Sequence, residues 1–120
     1  MAVVLFGGTK GGTGKTTLAL NVAAMRTRAR YSVLVIDTDK QRSAYDWAQQ
    51  RASNEIAPRI KAESHFITFK DREIGKKGKA LLETIAESAE AYDDIVVDGG
   101  GGDNPALRFC MLACDRMFVP

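Results

Sequence analysis

Apolar positions fall in two alternating textures along this chain. Short unbroken β-branched runs have the look of strands buried on both faces, and longer stretches with apolar positions every three or four residues have the look of helices. Ala2 to Phe6 is the first run, Ser32 to Ile36 the second and Ile95 to Asp98 a later one. Between them the spacing predicts helices over about Lys15 to Arg30, Ser43 to Arg51, Lys79 to Ala91 and Ala106 to Ala113. A last strand begins over Arg116 to Val119. In the first helix Leu18, Val22 and Met25 form the expected apolar stripe. Ala19 and Ala23 lie beside it, small enough to let the helix approach a sheet. In the third predicted helix Leu82, Ile85, Ala86 and Ala89 share a stripe. Trp47 is a packing residue on this reading.

The middle of the chain is less decided. Either Arg59 to Glu63 or His65 to Phe69 can be the third strand, and the pattern does not choose. Asp71 to Lys79 is charged and interrupted by Gly75 and Gly78, which predicts a solvated connection carrying Lys76, Lys77 and Lys79. Strands alternating with helices imply a doubly wound, mostly parallel α/β sheet.

Length and composition narrow this. The 120 residues suffice for one core, and 45% hydrophobic with 27% charged residues is ordinary for a globular domain. A net charge of +2 makes no case for nucleic acid or an acidic membrane surface. No signal-peptide pattern precedes the first strand, and no apolar run is long enough to span a bilayer, so a cytoplasmic protein is the expectation. Cys110 and Cys114 are one helical turn apart and read as buried thiols, not as a metal or disulfide framework. His65, the single histidine, has no partner nearby in sequence and reads as structural or exposed. Arg26, Arg28 and Arg30 end the first helix, where cations complement its dipole.

The chemistry concentrates after the first strand, in Lys10-Gly11-Gly12-Thr13-Gly14-Lys15-Thr16-Thr17. The phosphate-loop template asks for Gly, four residues, then Gly-Lys-Ser/Thr. Gly14-Lys15-Thr16 supplies its end, and Thr9 stands where the template opens with glycine. Glycines let backbone N–H groups converge on an anion, and the helix that follows adds its positive end. Lys15 reaches the β- and γ-phosphates of such a ligand, and the Thr16 hydroxyl can ligate Mg²⁺. Strand, loop, Lys-Thr and helix in this order outweigh a plain glycine turn. At the end of the second strand, Asp37 and Asp39 suit metal or water handling; a solvated turn with a helix cap is the bland alternative. Asp98, closing an apolar strand, fits the residue that holds an Mg²⁺-bound water. Gly99 to Gly102 would place backbone N–H groups near a γ-phosphate. Asp103 or Asn104 caps the next helix, with Pro105 in its first turn.

The extra lysine, Lys10, resembles the deviant phosphate loop of the ParA/MinD ATPases. Asp37-Thr38-Asp39-Lys40-Gln41 is similar to that family's Asp-x-Asp-Pro-Gln, with Lys40 in place of proline, and Ile95 to Asp98 matches its Walker B strand. The stretch from Asp98 to Arg108 looks most like small plasmid-type ParA partition proteins.

The resemblance implies ATP and Mg²⁺ as ligands, with Gly11, Gly12, Thr13, Gly14, Lys15, Thr16 and Thr17 binding the nucleotide. Thr16, Asp37 and Asp98 would lie around the metal. Asp39 would orient the attacking water, and Lys10 would reach the nucleotide of the second subunit in an ATP-dependent homodimer. Lys10, Lys15 and Asp39 are then the catalytic set. The implied function is an ATP-hydrolysing dimerisation switch for plasmid or chromosome partition, with a small ParB-like centromere-binding partner, non-specific DNA and no membrane, and nucleoid association. An ATP-dependent synthetase of the dethiobiotin or cobyrinic acid type, or a nucleotide-dependent scaffold in DNA transfer, are the other functions this loop serves. The implied fold is the phosphate-loop NTPase sheet without its C-terminal strands, residues 1–120 being the N-terminal part of a longer chain of about 200 residues.

Overall fold

The computed structural model describes residues 2–7, 14–99 and 104–119. The element order is β1 (Ala2–Phe6), α1 (Gly14–Arg28), β2 (Val33–Asp37), α2 (Ser43–Ser53), β3 (Lys61–Ser64), α3 (Ile74–Ala91), β4 (Asp94–Asp98), α4 (Pro105–Ala113) and β5 (Arg116–Phe118). The strands make one sheet in the order β3-β2-β4-β1-β5, and each paired neighbour is parallel. The doubly wound α/β architecture expected from the alternation is therefore present, and parallel throughout.

The apolar strands look unpatterned because both faces are covered. Val3, Leu5, Leu34, Ile36, Ile95 and Val97 face one core with Leu81, Ile85, Leu107 and Cys110 from α3 and α4. Phe6, Val33, Val35 and Val96 face the other, with Ala19, Ala23 and Ala24 of α1 and Ala44 of α2. Each fully buried Leu, Ile or Val in these layers contributes about 1.5–3 kcal/mol through burial. Trp47 packs against the second core, as expected, with the Arg51 guanidinium 4.8 Å from its ring centre.

Two local expectations need correcting, and one open choice is decided. In α1 only Val22 of the expected stripe packs against the core: Leu18 is 41% and Met25 66% exposed, while Ala19 and Ala23 are fully buried. The alanines win because a helix without large side chains can lie closer to the sheet. In α3, Gly78, Leu81 and Ile85 are buried: of the expected stripe Ile85 and Ala89 meet the core, whereas Leu82 is only half-buried and Ala86 is exposed. That helix also starts at Ile74, five residues before the expected Lys79. Gly78 does not break it, because it is the notch that receives Phe109 of α4: a Cβ there would lie 2.1 Å from two carbons of the ring. Finally, β3 is Lys61–Ser64, overlapping the first of the two candidate segments. It is an edge strand held by pairing with β2, Leu34 opposite Lys61 and Ile36 opposite Glu63. Its Lys-Ala-Glu-Ser sequence carries no apolar signal.

The far ends of the elements are tied by polar contacts. Arg26 Nε donates to Asp94 Oδ2 at 2.7 Å, and its guanidinium lies 3.8 Å from the centre of the Tyr31 ring. That pins the end of α1 to the start of β4. His65 is partly exposed and its Nε2 sits 3.0 Å from Glu63 Oε1. Among the described residues, no helix is long and apolar enough to cross a membrane.

Candidate functional site

Register puts three strand ends in one row. Phe6 of β1 and Asp37 of β2 both sit opposite Asp98 of β4. The segments that follow these strands therefore leave the same edge of the sheet side by side, which is where open parallel sheets bind ligands. Close approach there needs glycine at position 99. The Gly99 N–H donates to the Phe6 carbonyl at 2.8 Å, and an added Cβ would meet that same oxygen at 2.9 Å.

The first turn of α1 brings Gly14, Lys15, Thr16 and Thr17 to this edge. Lys15 is buried at 5% exposure, unusual for a lysine. Thr16 Oγ1 donates to Asp98 Oδ2 at 2.8 Å. That bond joins the helix after the glycine-rich loop to the end of the central strand, and it spans 82 residues of sequence. The candidate nucleotide residues Lys10, Gly11, Gly12 and Thr13 lie outside the described residues. So do Thr9, Gly100 to Gly102 and Asp103.

Asp37 is fully buried. Its Oδ1 accepts from the Asp39 N–H at 2.9 Å and its Oδ2 from the Tyr45 N–H at 2.8 Å. Tyr45 is the third residue of α2, and Arg42, the residue before that helix, makes no side-chain cap of its own. Asp37 thus caps α2 from a neighbouring strand, which is the helix-cap reading of this residue. Burial pushes its carboxyl above the ordinary range. The two N–H bonds oppose that, and the nearby Asp98 and Asp39 charges add to it. Asp39 is half-buried beyond the strand end, with Oδ1 accepting from the Gln41 N–H at 3.3 Å.

The donor set suits Mg²⁺. A threonine hydroxyl and a buried carboxylate, already within hydrogen-bond distance of each other, are hard oxygen ligands. Mg²⁺ is commonly held by one or two such carboxylates together with substrate phosphates and water. Thr16 and Asp98 are the residues that would hold it, with Asp37 one strand away.

Two further residues of this edge carry contacts that the sequence did not reveal. Thr38 is fully buried. Its N–H and its Oγ1 both donate to the Asp98 carbonyl, at 3.0 and 2.9 Å. Asn104 caps α4 as expected, Oδ1 accepting from the Leu107 N–H at 3.0 Å, but its Nδ2 also reaches the Thr38 carbonyl at 3.4 Å. Asn104 before a proline signals a cap. Nothing local signals a contact to a residue 66 positions away.

Comparison with known proteins bears on the family and the fold. The family model of the CobQ/CobB/MinD/ParA nucleotide binding domain matches residues 4–113. Maintenance of carboxysome distribution protein A from Gloeobacter kilaueensis is 33% identical over 112 residues, covering 92% of this chain and 44% of that protein. The solved structure of apo McdA from Cyanthece shares the fold, with a TM-score of 0.73 at 14% identity; the match covers 100% of this chain and 57% of that one. The chain thus spans less than half the length of this carboxysome-distribution relative.

Proposed function

The chain belongs to the CobQ/CobB/MinD/ParA family of nucleotide-binding domains, and from that premise we propose that it binds ATP with Mg²⁺ and hydrolyses it as a dimerisation switch that distributes a large intracellular cargo. The observation that carries the proposal is the 2.8 Å bond from Thr16 Oγ1 to Asp98 Oδ2. It sets a hydroxyl and a carboxylate together beside the buried Lys15, at the edge where the glycine-rich segment leaves the sheet.

In this reading Lys15 faces the β- and γ-phosphates, and Gly11 to Thr17 surround them with backbone N–H groups and hydroxyls. Mg²⁺, when bound, would neutralise phosphate charge. Thr16 and Asp98 would hold it, with Asp37 close by. Asp39, its backbone fastened to Asp37, would orient a water for attack on the γ-phosphate. Such a site works by positioning and charge, with no covalent nucleophile. Lys10 would reach the nucleotide of a second copy, so that ATP joins two subunits and hydrolysis releases them. The cargo is a plasmid or chromosome, engaged through a small ParB-like partner and non-specific DNA. The relative named for carboxysome distribution supports a distribution switch over an ATP-dependent synthetase.

Lysine substitutions in the intact protein test both halves of the proposal. Hydrogen bonds to charged groups contribute about 1.5–3 kcal/mol each, so Lys15→Ala should weaken ATP binding by roughly 10- to 100-fold. Lys10→Ala should bind ATP as a monomer yet fail to dimerise during sedimentation with a non-hydrolysable ATP analogue. Normal dimerisation and turnover in Lys10→Ala would remove the switch. Unchanged ATP affinity in Lys15→Ala would remove the site.

A further inference from the structure

We infer that Thr38 and Asn104 form a latch that positions Asp39 for hydrolysis, an inference that rests on the ATPase reading above. Thr38 lies between the two carboxylates of the β2 edge and is held on both sides. Its N–H donates to the Asp98 carbonyl at 3.0 Å, the bond that continues the parallel pairing of β2 with β4. Its hydroxyl donates to the same oxygen at 2.9 Å. Continuing the ladder needs only the first of these. The second fixes the side chain as well as the backbone, at a position where valine would fill the same space.

On the other side, the Thr38 carbonyl accepts from Asn104 Nδ2 at 3.4 Å. This is the longest bond of the set, near the outer limit of a useful hydrogen bond, and so the one that yields first. Asn104 is itself 7% exposed, and its Oδ1 is committed to the Leu107 N–H at the start of α4. One amide therefore caps a helix and clasps the β2 edge. Asp39 is the next residue after Thr38, and its own N–H is fastened to Asp37 Oδ1 at 2.9 Å.

Asp98 links the whole. Its side chain accepts from Thr16 and its carbonyl accepts from Thr38. The phosphate side and the water side of the site thus share one residue, and the start of α4 is coupled to both through Asn104. Thr38 and Asn104 touch no reacting atom in this scheme. They are positioning residues that act through Asp39.

Three variants of the intact protein test this: Thr38→Val removes the hydroxyl, Thr38→Ser keeps it, and Asn104→Ser keeps a helix cap but removes the amide donor. Misplacing a catalytic group by about 1 Å can cost up to about 100-fold in rate. Thr38→Val and Asn104→Ser should therefore lower kcat for ATP hydrolysis by roughly 10- to 100-fold. The KM for ATP should stay within about twofold, and Thr38→Ser should recover most of the rate. Hydrogen exchange gives a readout that needs no turnover: in Asn104→Ser the amides of Asp39 and Gln41 should exchange faster, while those of the central strands do not. Wild-type kcat in both Thr38→Val and Asn104→Ser, or unchanged exchange at Asp39 and Gln41, would overturn the latch. A parallel fall in Tm, affinity and kcat that includes Thr38→Ser would overturn it too, since that is what a general packing role produces. A wild-type protein that binds no ATP would instead refute the ATPase reading, and the exchange data would still decide whether Asn104 holds the Asp39 segment.

Discussion

Replacing Gly78 by alanine should weaken the fold, although alanine is the better helix former. The exchange gains about 1 kcal/mol of helix propensity in a helix interior. Against that, the new methyl would sit 2.1 Å from Cε2 and Cζ of Phe109 and 2.5 Å from Cδ2. Ordinary carbon contacts begin near 3.5 Å, so the ring must retreat by well over an ångström. It can do so by pushing α4 away from α3, which strains the core at about 1–3 kcal/mol. It can also swing toward solvent and give up the burial of a half-buried phenylalanine, about 1–1.5 kcal/mol on half of a full side chain. With the propensity gain subtracted, Gly78→Ala should lose up to about 0.5 kcal/mol if the ring swings out and up to about 2 kcal/mol if α4 moves. Urea unfolding measures this as a lower midpoint at unchanged m-value. The Phe109→Ala background supplies the control: with the ring gone, Gly78→Ala should stabilise by up to about 1 kcal/mol. A double-mutant cycle with no coupling, or a higher midpoint for Gly78→Ala with Phe109 present, would refute the notch.

Gly99→Ala should be worse tolerated, because the added Cβ would meet the Phe6 carbonyl at 2.9 Å and the Gly7 Cα at 3.0 Å. Backbone cannot swing aside, so a loss of about 1–3 kcal/mol is expected in the same urea assay, and wild-type stability would contradict the close approach of β4 to β1. The Lys77 ammonium hydrogen-bonds Asp71 at 2.5 Å and holds its carboxyl below the ordinary range. The stability this contributes is complete above the unfolded carboxylate's pKa of roughly 3.9 and is lost as pH falls through the lower folded value. NMR titration should find the Asp71 carboxyl moving up in Lys77→Gln, and no movement would dismiss the pair. Burial pushes the Cys110 thiol up to about 12, so a thiol reagent at pH 8 should label Cys114 well before Cys110 in the folded protein; equal labelling rates without urea would show that Cys110 is not buried.

The sheet was legible because its central strands are buried on both faces. Val-Val-Leu-Phe and Ile-Val-Val-Asp can hardly be anything else between glycine-rich and charged segments. What the pattern concealed has physical causes. The core face of α1 is a row of alanines, so a search for large apolar residues settles on Leu18 and Met25 instead. Gly78 looks like a helix breaker until Phe109 is known to fill the notch there. β3 is specified by backbone pairing with β2 more than by its side chains. At the site, Lys15, Thr16, Asp37 and Asp98 announce themselves because their chemistry depends on residue type and spacing. Thr38 and Asn104 do not, since their contact exists only once β4 has brought two distant segments together.

The central claim, a Mg²⁺-dependent ATP site built on Thr16 and Asp98, is tested most directly by calorimetric titration of ATP with and without Mg²⁺. Wild-type protein should bind more tightly with the metal, whereas Asp98→Ala and Thr16→Val should bind with nearly the same weak affinity in both conditions. A Mg²⁺ effect of wild-type size in both variants would contradict the account.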